Sequence, residues 1–284
     1  MPRPPPRALL VAVAGSLVLV LLAAGVILAF KKLGRRPPPR AAVEALEEAR
    51  SAAARDTLAS LAEAEALAKA AVAASPSGYP AALTGLAEIE VAWADALNDQ
   101  AHLWSERGQR ETDERKKSEA ESRASDLPDK AKSRLKLAFE AAVAANRLDP
   151  KSADVALALS DYYRAARLRT NMARELKRAA ALGAQEAQLA FVHGADLAAQ
   201  EDGAQSAIEK LEASAAAYPR SARHRFRLAM TYLGAHKPAD ALRGLQETLR
   251  LSPGHERARM AMEALAIASV SGTTGQAKPP QRER

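Results

Sequence analysis

Two groups of cations in the second half of the chain have the types and spacing to do chemistry. The first is Arg164, Arg167, Arg169, Arg174, Lys177 and Arg178; the second is Arg220, Arg223, Arg225 and Arg227. An arginine fork pairs a carboxylate through two parallel N–H donors, so such cations suit a groove for an acidic polypeptide segment. For any one of these residues a solvated helical face is the plainer reading. Tyr162 and Tyr163 are adjacent and must point to different faces of a helix, which leaves Tyr162 the freer to face a groove. The candidate partner-binding set is therefore Tyr162, Arg164, Arg167, Arg174, Arg223 and Arg227.

Other chemistries lack their residues. There is no cysteine, which removes disulfides, zinc-thiolate sites and thiol nucleophiles. His102, His193, His224, His236 and His255 form no His-x-x-x-His pair with a third ligand, so no catalytic metal is expected. No Gly-rich phosphate cradle follows a strand pattern, and no nucleophile elbow marks a serine. The expectation is a non-enzyme without cofactor or metal.

Formal charge is +7, and its distribution matters more than its sum. Residues 1–40 hold 7 basic and no acidic residues, so the rest of the chain is neutral. Within that rest, 41–127 carries 17 acidic against 9 basic residues and 128–284 carries 17 against 25. The excess charge thus belongs to the N-terminus and does not imply a basic nucleic-acid-binding domain.

Residues 1–7 form a basic tail, and 8–30 are an uncharged run rich in Leu, Val and Ala. At about 1.5 Å per residue this run is long enough to span a hydrocarbon core of roughly 30 Å as a helix. A cleaved signal peptide would have a shorter apolar stretch. The richer cationic flank lies in the basic, Pro-rich linker 31–40 and places the following domain on the cytoplasmic side by the positive-inside rule. Both flanks are basic, so an extracytoplasmic or periplasmic domain stands as the alternative.

Beyond residue 40, Ala-rich stretches are punctuated by Pro76, Pro150, Pro219 and Pro253, at spacings of 74, 69 and 34 residues. Proline stops a helix, and a fixed period near 34 is the mark of a helical repeat array. From about Ala222 to His255 the chain carries Leu228-Ala229, Tyr232, Ala241, Leu245, Thr248 and Pro253. A copy over 153–186 has Leu159-Ser160, Tyr163, Met172, Leu176 and Ala179. Between them lie Gly194, Leu197, Ala207, Leu211, Ser214 and Pro219, with one extra residue in the turn near Asp202-Gly203. This pattern resembles the tetratricopeptide repeat (TPR). The resemblance implies an all-α solenoid of helix hairpins over 41–270, clearest at 153–255, with a concave face that binds protein segments. Its repeat-core positions are Leu159, Tyr163, Leu176, Ala179, Gly194, Ala207, Leu211, Leu228, Tyr232, Ala241, Leu245 and Pro253. The Lys/Asn set of clamps for C-terminal carboxylates is not matched: the first helix of the 153–186 copy offers Asp154, Leu157, Asp161 and Arg164.

Residues 79–149 depart from the period. Leu86, Trp93, Leu97 and Trp104 fall on one helical stripe; Leu127, Leu135, Ala138, Ala142 and Ala145 form another. The stripes predict an over-long hairpin turning near Arg107–Glu111 and bent near Pro128, with both tryptophans buried against its second arm. A disordered charged loop over 105–126 is the alternative. A capping helix over 255–270 closes the domain, and 271–284 reads as a disordered tail.

These observations predict a membrane-anchored adaptor that binds protein segments, including acidic ones, through its solenoid surface. A self-assembling scaffold at the membrane is the alternative, since oppositely charged halves permit head-to-tail association. Binding of nucleic acid or an acidic polymer by the arginine-rich half is disfavoured, because no aromatic stacking platform is interleaved.

Overall fold

The longest helix organises the rest. The computed structural model describes residues 37–75, 78–200 and 202–274, with side chains through residue 268, and the apolar run 8–30 lies outside them. Among the described residues no helix is long and apolar enough to cross a membrane. Among the described residues the first elements are a helix pair, α1 (Arg40–Ala53) and α2 (Leu58–Ala73). Thr57 caps α2 by accepting from the Ser60 N–H, and the Ser60 hydroxyl accepts from Thr57 N–H in return. Helix α3 (Pro80–Arg110) then runs for 31 residues, about 46 Å at 1.5 Å per residue. Pro80 starts it, where a missing N–H costs nothing.

A short turn leads into α4 (Glu114–Ser125), capped by Asp113, and then α5 (Leu127–Leu148). The chain breaks helix at Asp126, just before Pro128, and α5 returns along α3. Segment 105–126 is thus helical apart from its turn. Gly108 lies at the α3–α4 contact, where a Cβ would make an ordinary contact 3.5 Å from the Ala120 Cβ. Trp104 is buried with Ala120, Phe226 and Leu245. Trp93 is partly buried beneath the Arg134 guanidinium of α5, 3.5 Å from its ring centroid.

Three hairpins of near-equal helices follow: α6 (Ala153–Ala165) with α7 (Arg169–Ala181), α8 (Glu186–Ala198) with α9 (Ala204–Ala217), and α10 (Ala222–Gly234) with α11 (Pro238–Leu251). The first and third are built alike to the level of single bonds. Ser152 and Ser221 cap α6 and α10. Arg167 and His236 take the left-handed conformation, φ 62° and 56°, at the hairpin turns. Beside them Leu168 N–H bonds Tyr163 O and Lys237 N–H bonds Tyr232 O. This is the left-handed helix stop used twice in register.

The repeat-core positions fill these hairpins. Ala179, Ala207, Leu211, Ala241 and Leu245 are fully or almost fully buried, with Leu159 and Leu228 close behind. Tyr163, Leu176 and Tyr232 pack partly buried against the same core. Gly194 lets α8 meet α9: a Cβ there would fall 2.9 Å from Leu211 Cγ. Pro253 is exposed and follows the end of α11. The α8–α9 turn spans 199–203, and a Cβ on Gly203 would lie 1.7 Å from the Leu197 carbonyl oxygen. Helix α12 (Glu256–Thr274) is the last described element and extends past residue 270 into the stretch read as disordered tail. A helix nucleated upstream propagates cheaply through residues that would not start one. The remainder of that tail lies outside the described residues.

Candidate functional site

First helices α6, α8 and α10 stack side by side, and α3 packs directly on α6 and on α12. The face that these helices present is therefore covered by the chain's own long helix. Ile89, Ala92 and Leu97 of α3 pack toward α1, α2 and α5, while Ala87 packs on α6 and Leu103 and Trp104 on α10 and α12. Asp95 and Asp99, one helical turn apart, face the arginines instead.

Arg164 forks onto Asp95, with Nη2–Oδ2 at 2.7 Å and Nη1–Oδ1 at 3.3 Å, and its Nε donates to Asp161 at 2.6 Å. Arg223 Nη2 reaches Asp95 at 3.3 Å and Asp161 at 3.4 Å. Arg227, a turn further along α10, stands 3.5 Å from both Asp95 and Asp99. Arg257 of α12 continues the line, 3.1 Å from Asp99 and 2.7 Å from Asp56 in the α1–α2 turn. The ladder holds four arginines and four aspartates, so its formal charge cancels. Arg223 also lies over Phe191 and Arg257 over Phe226.

Burial pushes the Asp95 carboxyl up, but Arg164, Arg227 and Arg223 outweigh it and hold that carboxyl far below the ordinary range. Burial likewise opposes charge on Arg164, yet Asp161 and Asp95 raise its pKa further. Asp95 and Arg164 thus stay charged near neutral pH, which suits a clamp rather than a proton donor or acceptor.

The six candidate binding residues separate cleanly. Arg164, Arg223 and Arg227 meet acidic partners, and the acidic segment they meet is this chain's α3. Tyr162 packs on Phe139 of α5, the rings tilted by 33° with centroids 5.0 Å apart. Arg167 is exposed at the end of α6, beside exposed Leu168. Arg174 is exposed on α7, its Nε 3.2 Å from Glu175. Sequence reasoning missed Asp56, Asp95, Asp99 and Arg257. The Asp95/Asp99 spacing inside an Ala-rich apolar stripe was the available signal.

Between α1, α3, α6, α8 and α10 the packing leaves a cavity of about 280 Å³. Its walls include Leu157, Phe191 and Val192, with Glu88 from α3 and Arg50 from α1. His224 stacks on Tyr218 there, 4.7 Å between centroids, and its Nδ1 lies 2.7 Å from Ser221 Oγ. Burial, with nearby Arg223, lowers the His224 pKa to about 3. Among the described residues no group of His, Asp or Glu is arranged to hold a metal ion.

No family model matches the chain, and no curated protein matches it. Among solved structures it is similar to Pseudomonas aeruginosa PilF at 19% identity and a TM-score of 0.41, covering 62% of this chain and 71% of that one. It is similar to YrrB, described as a TPR protein with an unusual peptide-binding site, at 18% identity and 0.37, covering 72% and 84%. Yeast Tom70 gives 14% identity and 0.40, covering 76% and 51%. These likenesses are remote, and the repeat assignment rests on the chain's own hairpins.

Proposed function

We propose that the protein is a membrane-anchored, non-catalytic TPR-like adaptor that binds partner protein segments through its solenoid surface. The observation that carries the reading is the division of its cations. Arg164, Arg223 and Arg227 are engaged by α3, whereas Arg167 and Arg174 stand exposed, Arg167 next to exposed Leu168. Exposed cations, with exposed Leu168 and Phe139 and half-buried Tyr162 in the same α5–α7 region, suit a partner segment carrying acidic and apolar residues. The run 8–30 supplies the anchor, and the anchor raises the local concentration of solenoid relative to membrane-associated partners. Head-to-tail assembly is less well supported, because much of the opposite charge of the two halves is matched within one copy. The same internal pairing argues against nucleic acid.

The test uses the full-length protein in membranes, with a photo-crosslinker placed at Tyr162 or Arg174 and, as control, at Arg243. Adducts with another protein from the first two positions and not the control support the adaptor. Adducts of twice the chain's own mass support the scaffold. Release of the protein from membranes on deleting 8–30 supports the anchor, and unchanged membrane retention overturns it. Reporter fusions after Arg284 decide the side on which the domain lies.

A further inference from the structure

The cavity beside α3 is lined by a carboxyl, Glu88, that no group among the described residues contacts directly, with the exposed cation Arg50 also in its lining. Glu88 lines it and forms no hydrogen bond or ion pair among the described residues. Its neighbours on the same helix all have partners: Glu90 meets Arg134, and Asp95 and Asp99 meet the arginine ladder. Glu88 is half-buried and lines the cavity without a donor among the described residues, so its carboxyl is open to a cationic ligand there.

We propose that this cavity is a binding site for an alkylammonium group, with Glu88 accepting from the ammonium and the apolar walls taking the methylenes. The volume, about 280 Å³, lies near the lower end of the roughly 300–1,000 Å³ range of small-molecule sites. Leu157, Val192 and Ala92 supply walls without donors. Arg223 also faces the cavity, but Asp95 and Asp161 already pair it and Phe191 packs beneath it. Arg50 is exposed at the edge of the same cavity and is the natural contact for a carboxylate or carbonyl next to the ammonium. The ammonium has two sources, a free alkylamine or a lysine side chain of a polypeptide. The site stands whether or not the adaptor reading does.

The charge state of the site makes the proposal specific. Burial pushes the Glu88 carboxyl up to about 7, with Asp154 and Asp161 adding to the rise and Arg50 and Arg223 opposing it. Of the other groups facing it, His224 is held at about 3 and the Tyr218 phenol is raised, so neither titrates near neutrality. Glu90 is also held near 7 but pairs with Arg134 and does not line the cavity.

Calorimetry on the folded full chain, with butylammonium, N-acetyl-lysine-methylamide and the neutral norleucine analogue as probes, tests it at pH 6 and pH 8. The expected result is binding of an ammonium probe, tighter by several-fold at pH 8. It should weaken by about tenfold or more in Glu88→Gln, and the norleucine analogue should not bind. A second variant, Gln188→Trp, narrows the cavity from its lining without touching Glu88 and should also abolish binding. Circular dichroism establishes that both variants are folded. Tighter binding of the capped lysine points to a polypeptide source, and preference for butylammonium points to a free amine; both uphold the site. Failure of both cations to bind, or binding that ignores Glu88→Gln, overturns it.

Discussion

Arg257 grips Asp56 across 201 residues of sequence, its Nη2 lying 2.7 Å from Asp56 Oδ2 and 2.5 Å from the Asp56 main-chain oxygen. The second contact depends on backbone shape: Asp56 is left-handed, φ 54°, in the α1–α2 turn. His255 completes the arrangement. Its Nδ1 accepts from Ala258 N–H at 3.1 Å, which leaves Nε2 to carry the hydrogen and donate to Asp56 Oδ2 at 3.2 Å. A further bond, Ala222 N–H to Ala54 O at 2.9 Å, ties the same turn to the start of α10. The first hairpin is therefore fastened to the last repeats, and α3 is held against the first helices between them.

Removing Asp56 takes from buried Arg257 its shorter carboxylate contact and leaves it Asp99 at 3.1 Å. Asp56→Ala is expected to destabilise the domain by about 3–5 kcal/mol, the usual cost of breaking a buried pair from one side. Urea unfolding of residues 40–284 measures it. A loss below about 1 kcal/mol would show that the contact is incidental.

The repeat hairpins were legible because each carries its own punctuation. Tyr163 and Tyr232, Ala179 and Ala241, and the proline spacing all report local geometry that recurs every 34 or so residues. The ladder was not legible for the opposite reason. Asp95 and Arg164 lie 69 residues apart and Asp56 and Arg257 lie 201 apart, and no local pattern says which helix will lie across which. The arginines invited an acidic partner, and its being α3 follows only from the return of the over-long hairpin. Glu88 looked like any surface glutamate until the cavity around it was visible.

The α8–α9 turn depends on a single hydrogen atom. Gly203 has an ordinary negative φ, so the constraint is space: a Cβ would lie 1.7 Å from Leu197 O. Gly203→Ala must shift backbone and is expected to cost about 2–4 kcal/mol, more than Gly194→Ala, whose Cβ meets a side chain that can adjust. Thermal unfolding of the two variants side by side gives the order. The reverse order would mean that the turn relaxes more easily than the helix pair.

Stability should respond to pH through two groups of opposite sign. His224 has a folded pKa near 3, well under its unfolded value, because burial and Arg223 disfavour its charge. Below about pH 6.5 the unfolded chain takes up a proton that the folded one refuses, so this contribution is present above that pH and is lost as pH falls. Glu88 works the other way. Its folded pKa near 7 lies above its unfolded value, so the protonated form supports the fold at low pH and that support disappears as pH rises through 7. Between pH 4.5 and 7, His224→Phe should make stability fall more steeply as pH rises, and Glu88→Gln should make it climb more steeply. Denaturant midpoints at several pH values check both slopes.

The aspartates of the ladder act at lower pH. Burial works against the charge of Asp56 and Asp95, but their arginine partners, with His255 beside Asp56, hold both carboxyls below the ordinary range. Their stabilisation is full above about pH 4 and is lost as pH falls through their depressed folded values. Acid unfolding should therefore shift to higher pH in Asp95→Asn, which removes the charge but keeps the shape. An unshifted transition would show that the ladder does not govern acid stability.

The sharpest division falls among residues of one type. Arg164 is buried between Asp95 and Asp161, whereas Arg174 is exposed with only Glu175 beside it. Arg164→Glu removes the cation that forks Asp95 and holds Asp161 and puts a third buried carboxylate there, leaving only the looser contacts of Arg223 and Arg227, and it should abolish folding of the domain. Arg174→Glu and Arg167→Glu should change stability by no more than about 0.5 kcal/mol, as surface substitutions do. If the exposed patch holds the partner, these same two variants should still lose most of the crosslinked adduct formed from Tyr162. The comparison separates the two roles that one cationic sequence pattern had joined. Loss of adduct without loss of fold assigns recognition to the exposed arginines. Full adduct yield from folded Arg167→Glu and Arg174→Glu protein moves the partner site elsewhere on the solenoid.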